Sequence, residues 1–596
     1  MRNRLLIFAA FLSTGCLAFG QLHPKLSTEL ENKDPGARVN VIIQYKHAPG
    51  QHNIDAVVGR GGRHLGMLGL VKGAVYSVTA RTLADLANDP EVEFISPDHK
   101  LAAAGTPWPT TGNTPLVNTP DYGWMGTLGV TSPTARAAYD GTGIGVAVID
   151  SGIHMNKDLS SGGDLDQDDS RVVYSQSFVP GDPSTDDAYG HGTHVAGLVG
   201  GDGYNSQNFS FFYVVRGLAP NVNLINLRVL DQNGSGTDSA VIAAIQTAIA
   251  LQSQFNIQVI NLSLGRPVTS SYKTDPLCQA VEAAWQAGIV VVVAAGNHGR
   301  NNTAGTAGYG TITAPGNDPY VITVGAMNTV GTLSRSDDKM TSSSSKGPTL
   351  LDHVVKPDLV APGNRIFSDM APGSTLALAY PQNIVSTLLA MMLPGYTSSY
   401  FQLSGTSMAA ASVSGTAALL LQQNPNLTPD QVKARLMMTA DKTFPAATCP
   451  AGQSCTSQAQ MMTTATDATT GVTYTTYYDV FTVGAGYLNA AAALSNGNIA
   501  PGWETALSPT VSFNGATNAV TLMNASNVIW GTNVIWGTNV IWGTSVLSGS
   551  NVIWGTNVIW GTGTTIACNV IWGSNVIWGS GSATTESSNL TFRGEQ

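Results

Sequence analysis

Hydrophobic and polar positions change their period several times along the chain, and each change marks a unit. Behind Met1-Arg2-Asn3-Arg4 stands a short apolar run from Leu5 to Leu12, and small residues flank Phe19 at Ala18-Phe19-Gly20. A basic head, an apolar centre and a small-x-small end make a secretory leader covering residues 1–20, and hence an extracellular or cell-surface address. A lipoprotein-type cut at Cys16 competes with this reading, but Ser13 stands where such boxes carry Leu. The run is too short for a hydrocarbon layer that needs roughly 20 residues. No later stretch is apolar throughout over about 18 residues, so no transmembrane segment is expected.

Residues 21–104 read as a small α/β unit. Val39 to Tyr45, Gly73 to Val78 and Val92 to Ile95 have the composition of strands, and Leu83 to Ala87 that of a helix. The Pro-, Gly- and Thr-rich stretch 105–120 reads as a linker or cleavage region. Residues 121–496 hold long apolar runs such as Gly145 to Ile149 and Ile289 to Ala294, with the amphipathic Ser239 to Ala250 between them. Strands apolar at nearly every position are buried on both faces, as in parallel sheets.

Residues 497–596 form a tail of another kind. Seven copies of Asn-Val-Ile-Trp-Gly begin at Asn527, Asn533, Asn539, Asn551, Asn557, Asn569 and Asn575, and hold seven of the 11 Trp. The basic step of six is even, so in a strand Asn, Ile and Gly share one face while Val, Trp and Thr or Ser share the other. Three readings stay open: stacked rungs or short hairpins, an aromatic surface contacting polymers, cell surface or another protein, and a disordered tail.

Composition narrows the classes. The 596 residues exceed one core at about 150 residues per domain. With 43% hydrophobic and 11% charged residues the chain lacks the signature of global disorder. The net charge of −10 argues against the positive field that nucleic-acid binding needs. Beyond the leader the cysteines are Cys278, Cys449, Cys455 and Cys568, too few for a disulfide-built scaffold. Cys449 and Cys455 flank the turn-rich Pro450 to Ser454, where a disulfide and two free thiols are both open.

Three segments carry candidate chemistry. Gly145-Val146-Ala147-Val148-Ile149-Asp150-Ser151-Gly152 is a buried strand ending in a carboxylate, and the carboxyl ends of such strands are where open α/β sheets build sites. Gly190-His191-Gly192-Thr193-His194-Val195-Ala196-Gly197 packs small residues about His191 and opens a buried helix. His191 and His194 are three apart with no intervening Glu, which disfavours the zinc-protease helix with its four-residue spacing. Ser404-Gly405-Thr406-Ser407-Met408-Ala409 passes from a Gly turn into an Ala-rich helix, and a Ser there is either a cap or a hydroxyl beside backbone N–H groups suited to an oxyanion.

In order and in detail the three segments resemble those of the subtilisin-like serine proteases, the subtilase family. The resemblance covers roughly Trp108 to Leu494, passing through Lys356-Pro357-Asp358-Leu359 and Gly484-Ala485-Gly486-Tyr487. It implies a doubly wound, mostly parallel α/β sheet with helices on both faces in 121–496. It also implies a serine endopeptidase that needs no cofactor for catalysis and acts on protein or peptide substrates. Carried over by motif, Asp150 would orient His191, His191 would act as general base and then acid, and Ser407 would be the nucleophile. Asn297, closing the strand Ile289 to Ala294, would donate to the oxyanion. Exposed backbone at Gly234-Ser235-Gly236 and at Ser263-Leu264-Gly265 would pair with an extended substrate. Leu264, Ala294 and Gly296 would leave an apolar, open lining with preference for an uncharged residue before the cut.

The same resemblance makes 21–104 an inhibitory propeptide whose end fills the cleft until the chain cuts itself between about Pro97 and Pro120. Asp158 falls where family members often bind structural calcium; the acidic loop from Asp164 to Asp169 lacks the Gly and Glu of an EF-hand. Two features depart from the family pattern. Ala410-Ala411-Ser412 stands where Ser/Thr-Pro-His is usual, and about 40 residues, including the apolar Ile384 to Leu393, separate Gly363 from Ser404. A lid or packing helix is expected there. The rival reading of the whole chain is an inactive surface or matrix-binding protein acting through its Trp-rich tail.

Overall fold

The computed structural model describes residues 23–31, 33–103, 128, 139–161, 169–206, 214–303, 305–385, 399–451, 454–455, 460–467, 470–497, 499–500, 505–514, 519–523, 540–546 and 558–566. The expected leader, the linker 105–120 and residues 386–398 of the long connection lie outside them. Two compact units form, one of residues 1–67 and 72–97, the other of 68–71 and 98–596.

The first unit is built on β1 (Arg38–Tyr45), α1 (Gln51–Gly59), β2 (Arg63–Leu68), β3 (Gly73–Thr79) and β4 (Val92–Pro97), with sheet order β2-β3-β1-β4. Its core is apolar, with Val41, Ile43, Tyr76, Val78, Leu83, Leu86 and Ile95 all buried. Burying that face against α1 and Leu83–Ala87 is what ties the strands together.

The second unit begins with β5 (Lys100–Ala103) and centres on a sheet of eight strands. Its members are β6 (Gly145–Asp150), β7 (Val172–Ser177), β8 (Asn223–Arg228), β10 (Ile257–Leu262), β12 (Val290–Ala294), β13 (Ile322–Asn328), β14 (Lys339–Met340) and β15 (Leu359–Pro362). The order is β14-β13-β12-β10-β6-β8-β7, with β15 pairing β13. All these pairings are parallel except β13 with β14. Every residue of β6, β12 and β13 is buried, which is why their sequences run apolar without alternation. Off the sheet lie the short strands β9 (Ser235–Thr237) and β11 (Leu264–Gly265).

Helices flank the sheet in two groups. One comprises α2 (His191–Gly200) and the 18-residue α5 (Thr406–Gln423), packed on each other; α5 also covers β10, β12 and β13. The other pairs α3 (Asp238–Ala250) with α4 (Pro276–Gln286), and α6 (Pro429–Thr439) follows α5. Without the usual Pro after Ser407, α5 runs unbroken. The chain leaves β6 toward β8 and β7 on one side and later toward β10, β12 and β13 on the other. The switch point therefore lies between β6 and β10.

In the long connection β16 (Ile366–Asp369) pairs antiparallel with β17 (Tyr400–Leu403). Cys449 and Cys455 form a disulfide with Cα atoms 5.7 Å apart. In the tail, Val540–Val546 pairs in parallel with Val558–Ile566, setting Trp542 opposite Trp560. Among the described residues, two of the seven copies thus pair in parallel over Val540–Trp542 and Val558–Trp560.

Candidate active site

Strands β6 and β10 run parallel with Ile149 beside Leu262, so the next residues, Asp150 and Ser263, emerge side by side at the sheet's carboxyl edge. Asp150 is fully buried, and its Oδ1 accepts from the Ser151 N–H and lies 2.8 Å from His191 Nδ1. His191 opens α2 and is itself 4% exposed. Burial works to lower its proton affinity, but the charge of Asp150, the hydrogen bond and the charge of Asp187 outweigh it and leave the imidazole above its ordinary value. His191 Nε2 has no hydrogen-bond partner.

Close approach explains the glycines around this histidine. A Cβ on Gly192 would sit 2.2 Å from the Gly152 carbonyl oxygen and 3.2 Å from Asp150 Cβ, so only glycine lets α2 press its first turn onto the end of β6. Gly190, at φ +104, supplies the left-handed turn that starts the helix without a side-chain cap.

That cap comes instead from Asp187, a residue the motif reading passed over. Its Oδ1 accepts from Ser151 Oγ at 2.8 Å and Gly190 N at 2.7 Å, and its Oδ2 from Thr193 N at 2.8 Å and Thr193 Oγ1 at 2.7 Å. Burial pushes its proton affinity up and the four donors oppose that. A buried carboxylate thus rivets the loop after β6 to the first turn of α2, beside His191. The only local signal was an acidic residue four positions before a histidine, which reads equally well as a solvated loop.

Ser407 lies in the first turn of α5 and is buried. Its hydroxyl donates to the Ser263 carbonyl at 3.2 Å, and Ser263 Oγ donates back to the Ser407 carbonyl at 3.1 Å. Asn261 Nδ2 donates to Ser263 Oγ at 2.9 Å and its Oδ1 accepts from Ser414 Oγ at 2.8 Å. This polar ladder between β10 and α5, also missed from sequence, sets Ser407 at the end of β10, next to the end of β6 that holds Asp150. In this resting arrangement the serine hydroxyl is bonded to Ser263 and not to His191.

Asn297 follows β12. Its Oδ1 accepts from Thr406 N at 2.9 Å and Thr406 Oγ1 at 3.1 Å, and Thr406 Oγ1 accepts from Gly296 N at 3.1 Å. A Cβ on Gly405 would fall 2.9 Å from Asn297 Nδ2. The amide therefore sits against the turn leading into Ser407, its oxygen tied down and its NH2 on the side of Gly405. Ala294 is buried at the end of β12, beside Val324.

The two proposed substrate edges lie on either side of one segment. β5 pairs antiparallel with β9, Leu101 opposite Gly236 and Ala102 opposite Ser235, and with β11, Ala103 opposite Leu264 and Ala102 opposite Gly265. The Gly234 carbonyl accepts from Ala103 N at 2.9 Å. Gly234, Ser235, Gly236, Leu264 and Gly265 all act on β5 through their backbones.

Asp158, the candidate calcium ligand of the sequence, is held by groups of the chain itself. Its Oδ1 accepts from Asn205 N at 2.6 Å, and its Oδ2 from the Tyr400 hydroxyl at 2.5 Å. The Arg171 guanidinium donates to the Asp158 and Gly200 carbonyls. Burial pushes the Asp158 carboxyl up, and burial with the neighbouring Asp158 pushes Asp369 well up. Both carboxylate oxygens of Asp158 are thus engaged by donors of the chain itself. No group of three His, Cys, Asp or Glu suited to a metal occurs among the described residues. Most of the acidic loop, residues 162–168, lies outside them. His194 is a core residue: its Nε2 meets the carbonyls of Ile366 and Phe401 at 3.1 Å each, and burial lowers its pKa to about 3.

Comparison with known proteins agrees with this geometry. The Peptidase_S8 profile, described as the subtilase family, matches residues 141–454. The serine protease AprX of Bacillus subtilis is 39% identical over 311 residues, which cover 51% of this chain and 62% of that protein. The chain therefore spans less than two thirds of that relative. Subtilisin DY of Bacillus licheniformis is 36% identical over 302 residues, 51% of this chain and 85% of that protein. Subtilisin E of Bacillus subtilis is 32% identical over 388 residues, 65% and 80% of the two chains. In fold, fervidolysin of Fervidobacterium pennivorans superposes with a TM-score of 0.53 over 79% of this chain and 62% of its own, at 22% identity.

Proposed function

The chain belongs to the subtilase family of serine proteases, and from that premise we propose a secreted endopeptidase that hydrolyses peptide bonds through a Ser407 acyl-enzyme and matures by cutting itself. The observation that carries the reading is the buried Asp150–His191 pair at 2.8 Å, with His191 Nε2 unpartnered.

In this mechanism a rotation about the Ser407 Cα–Cβ bond exchanges the Ser263 carbonyl for His191 Nε2 as acceptor. Nε2 takes the hydroxyl proton as Oγ attacks the substrate carbonyl carbon, and Asp150 stabilises the imidazolium that forms. The oxyanion is met by Asn297 Nδ2 and by backbone N–H groups at the head of α5. Collapse breaks the C–N bond, His191 passes the proton to the leaving amine, and water then hydrolyses the ester with His191 again as base. Substrate lies extended between β9 and β11, where its backbone is read more than its side chains.

The test is labelling by a fluorophosphonate probe, wild type against Ser407→Ala. Labelling of the wild type alone is expected; equal labelling of both would remove Ser407 from the role.

A further inference from the structure

Resting on the endopeptidase reading just given, we infer that Thr375, on the long connection between Gly363 and Ser404, is a positioning residue for the substrate edge at Gly234-Ser235-Gly236. Its hydroxyl sets how well an extended peptide binds. Ser374 caps the short helix Thr375–Ala379 by accepting from Ala377 N, and Leu376, Ala377 and Tyr380 are buried. The head of this helix bonds the stretch that leads into His191. Thr375 N donates to the Ala188 carbonyl at 2.9 Å, and Leu376 N donates to the Tyr189 carbonyl at 3.0 Å. Contact there is tight: a Cβ on Gly190 would lie 2.4 Å from Ser374 Oγ and 3.5 Å from Leu376 Cβ.

One bond runs from the helix to the substrate edge. Thr375 Oγ1 donates to the Gln232 carbonyl at 2.7 Å, with the Ala188 carbonyl a longer second acceptor at 3.3 Å. Gln232 stands in a turn closed on itself. Gly234 N donates to the Asp231 carbonyl at 2.9 Å and Asp231 N to the Ser235 carbonyl at 2.9 Å, while Asp231 Oδ1 accepts from Asn233 N and Ser235 N. The turn lies flat on the Tyr189 ring, since a Cβ on Gly234 would fall 2.6 Å from it. These bonds fix the shape of the turn, and the Thr375 hydroxyl fixes where that shape stands over Tyr189.

The two attachments differ in kind. The His191 side is held by backbone N–H groups, which a substitution at position 375 retains, whereas the substrate side is held by a hydroxyl. Removing the hydroxyl therefore loosens the edge and leaves base and nucleophile in place. Strand pairing weakens as donors and acceptors lose alignment, so a loosened edge grips an extended peptide less well. That grip is the same before and during the reaction, and its loss falls on KM and not on kcat.

Full-length protein that has matured is assayed with a tetrapeptide nitroanilide, which offers the edge a strand, and with a fluorophosphonate, which offers none. Thr375→Val is expected to raise KM for the tetrapeptide about threefold or more, with kcat and the labelling rate within about twofold of wild type, and Thr375→Ser to restore KM. An unchanged KM, a labelling rate that falls as far as kcat/KM, or a Thr375→Ser no better than Thr375→Val overturns the assignment. A wild type that labels and cleaves beside an unaffected Thr375→Val sinks this assignment alone. One that neither labels nor cleaves sinks the catalytic reading beneath it, and the assignment with it.

Discussion

Gly405→Ala isolates the contribution of the Asn297 amide without touching any group that handles a proton. Gly405 sits at φ +153 and ψ 169, a region that L residues rarely enter, so the alanine carries about 1–3 kcal/mol of backbone strain. Its Cβ would stand 2.9 Å from Asn297 Nδ2, about half an ångström inside ordinary contact. The backbone cannot yield easily: Gly405 N donates to Gly363 O at 2.7 Å, and the Asn297 oxygen is tied to Thr406. The amide must therefore turn its NH2 away from the oxyanion position. Complete loss of such a donor costs about 10²–10³ in rate, or roughly 2.7–4 kcal/mol. We expect Gly405→Ala to lower kcat about a hundredfold with KM nearly unchanged, because the oxyanion exists only in the transition state. The assay is steady-state hydrolysis of a chromogenic peptide, normalised by active-site titration, in a cycle with Asn297→Ala. If both substitutions act through one amide, Gly405→Ala costs little once Asn297 is gone. A kcat within threefold of wild type, or an undiminished loss in the Asn297→Ala background, refutes the reasoning.

The proposed mechanism requires neutral His191, whose proton affinity is raised in part by the charge of Asp187. Asp187→Asn removes that attraction, so the acid limb of kcat/KM against pH should move to lower pH; a limb that stays in place separates Asp187 from the imidazole. Arg266 binds Asp238 through Nε and Asp275 through NH2, each in bidentate fashion at 2.8–2.9 Å, and all three are buried. Arg266→Met strands two buried carboxylates and should destabilise the folded state by about 3–5 kcal/mol in denaturant unfolding. Reducing the Cys449–Cys455 disulfide opens a loop of only six-residue separation, so a loss of about 2 kcal/mol is expected by the same method, small enough to leave the enzyme folded.

The central strands could be read directly, since burial on both faces abolishes alternation and leaves uninterrupted Val and Ile at β6 and β12. The candidate triad was equally legible, because Asp150, His191 and Ser407 each stand at a local turn whose glycines are dictated by close packing. The acidic residues were not. Asp158 and Asp187 look alike as single letters in polar loops, and each acquires its character from partners that stand 6 to 242 residues away. Arg171 binds the carbonyl and Tyr400 the carboxylate of the first, while Ser151 and Thr193 make the second a rivet for α2. Lys100–Ala103, too short and plain to announce a strand, becomes one because two edges wait on either side of it.

Local pattern alone thus determined which stretches would be buried, in what secondary structure, and which reactive groups would stand at their ends. Those properties follow from side-chain periodicity and backbone sterics within a few residues. Tertiary structure decided what each polar group bonds to, and so which carboxylates are buried among donors and where the serine hydroxyl rests. Desolvation and hydrogen bonding depend on atoms brought close by the fold, from positions up to hundreds of residues distant.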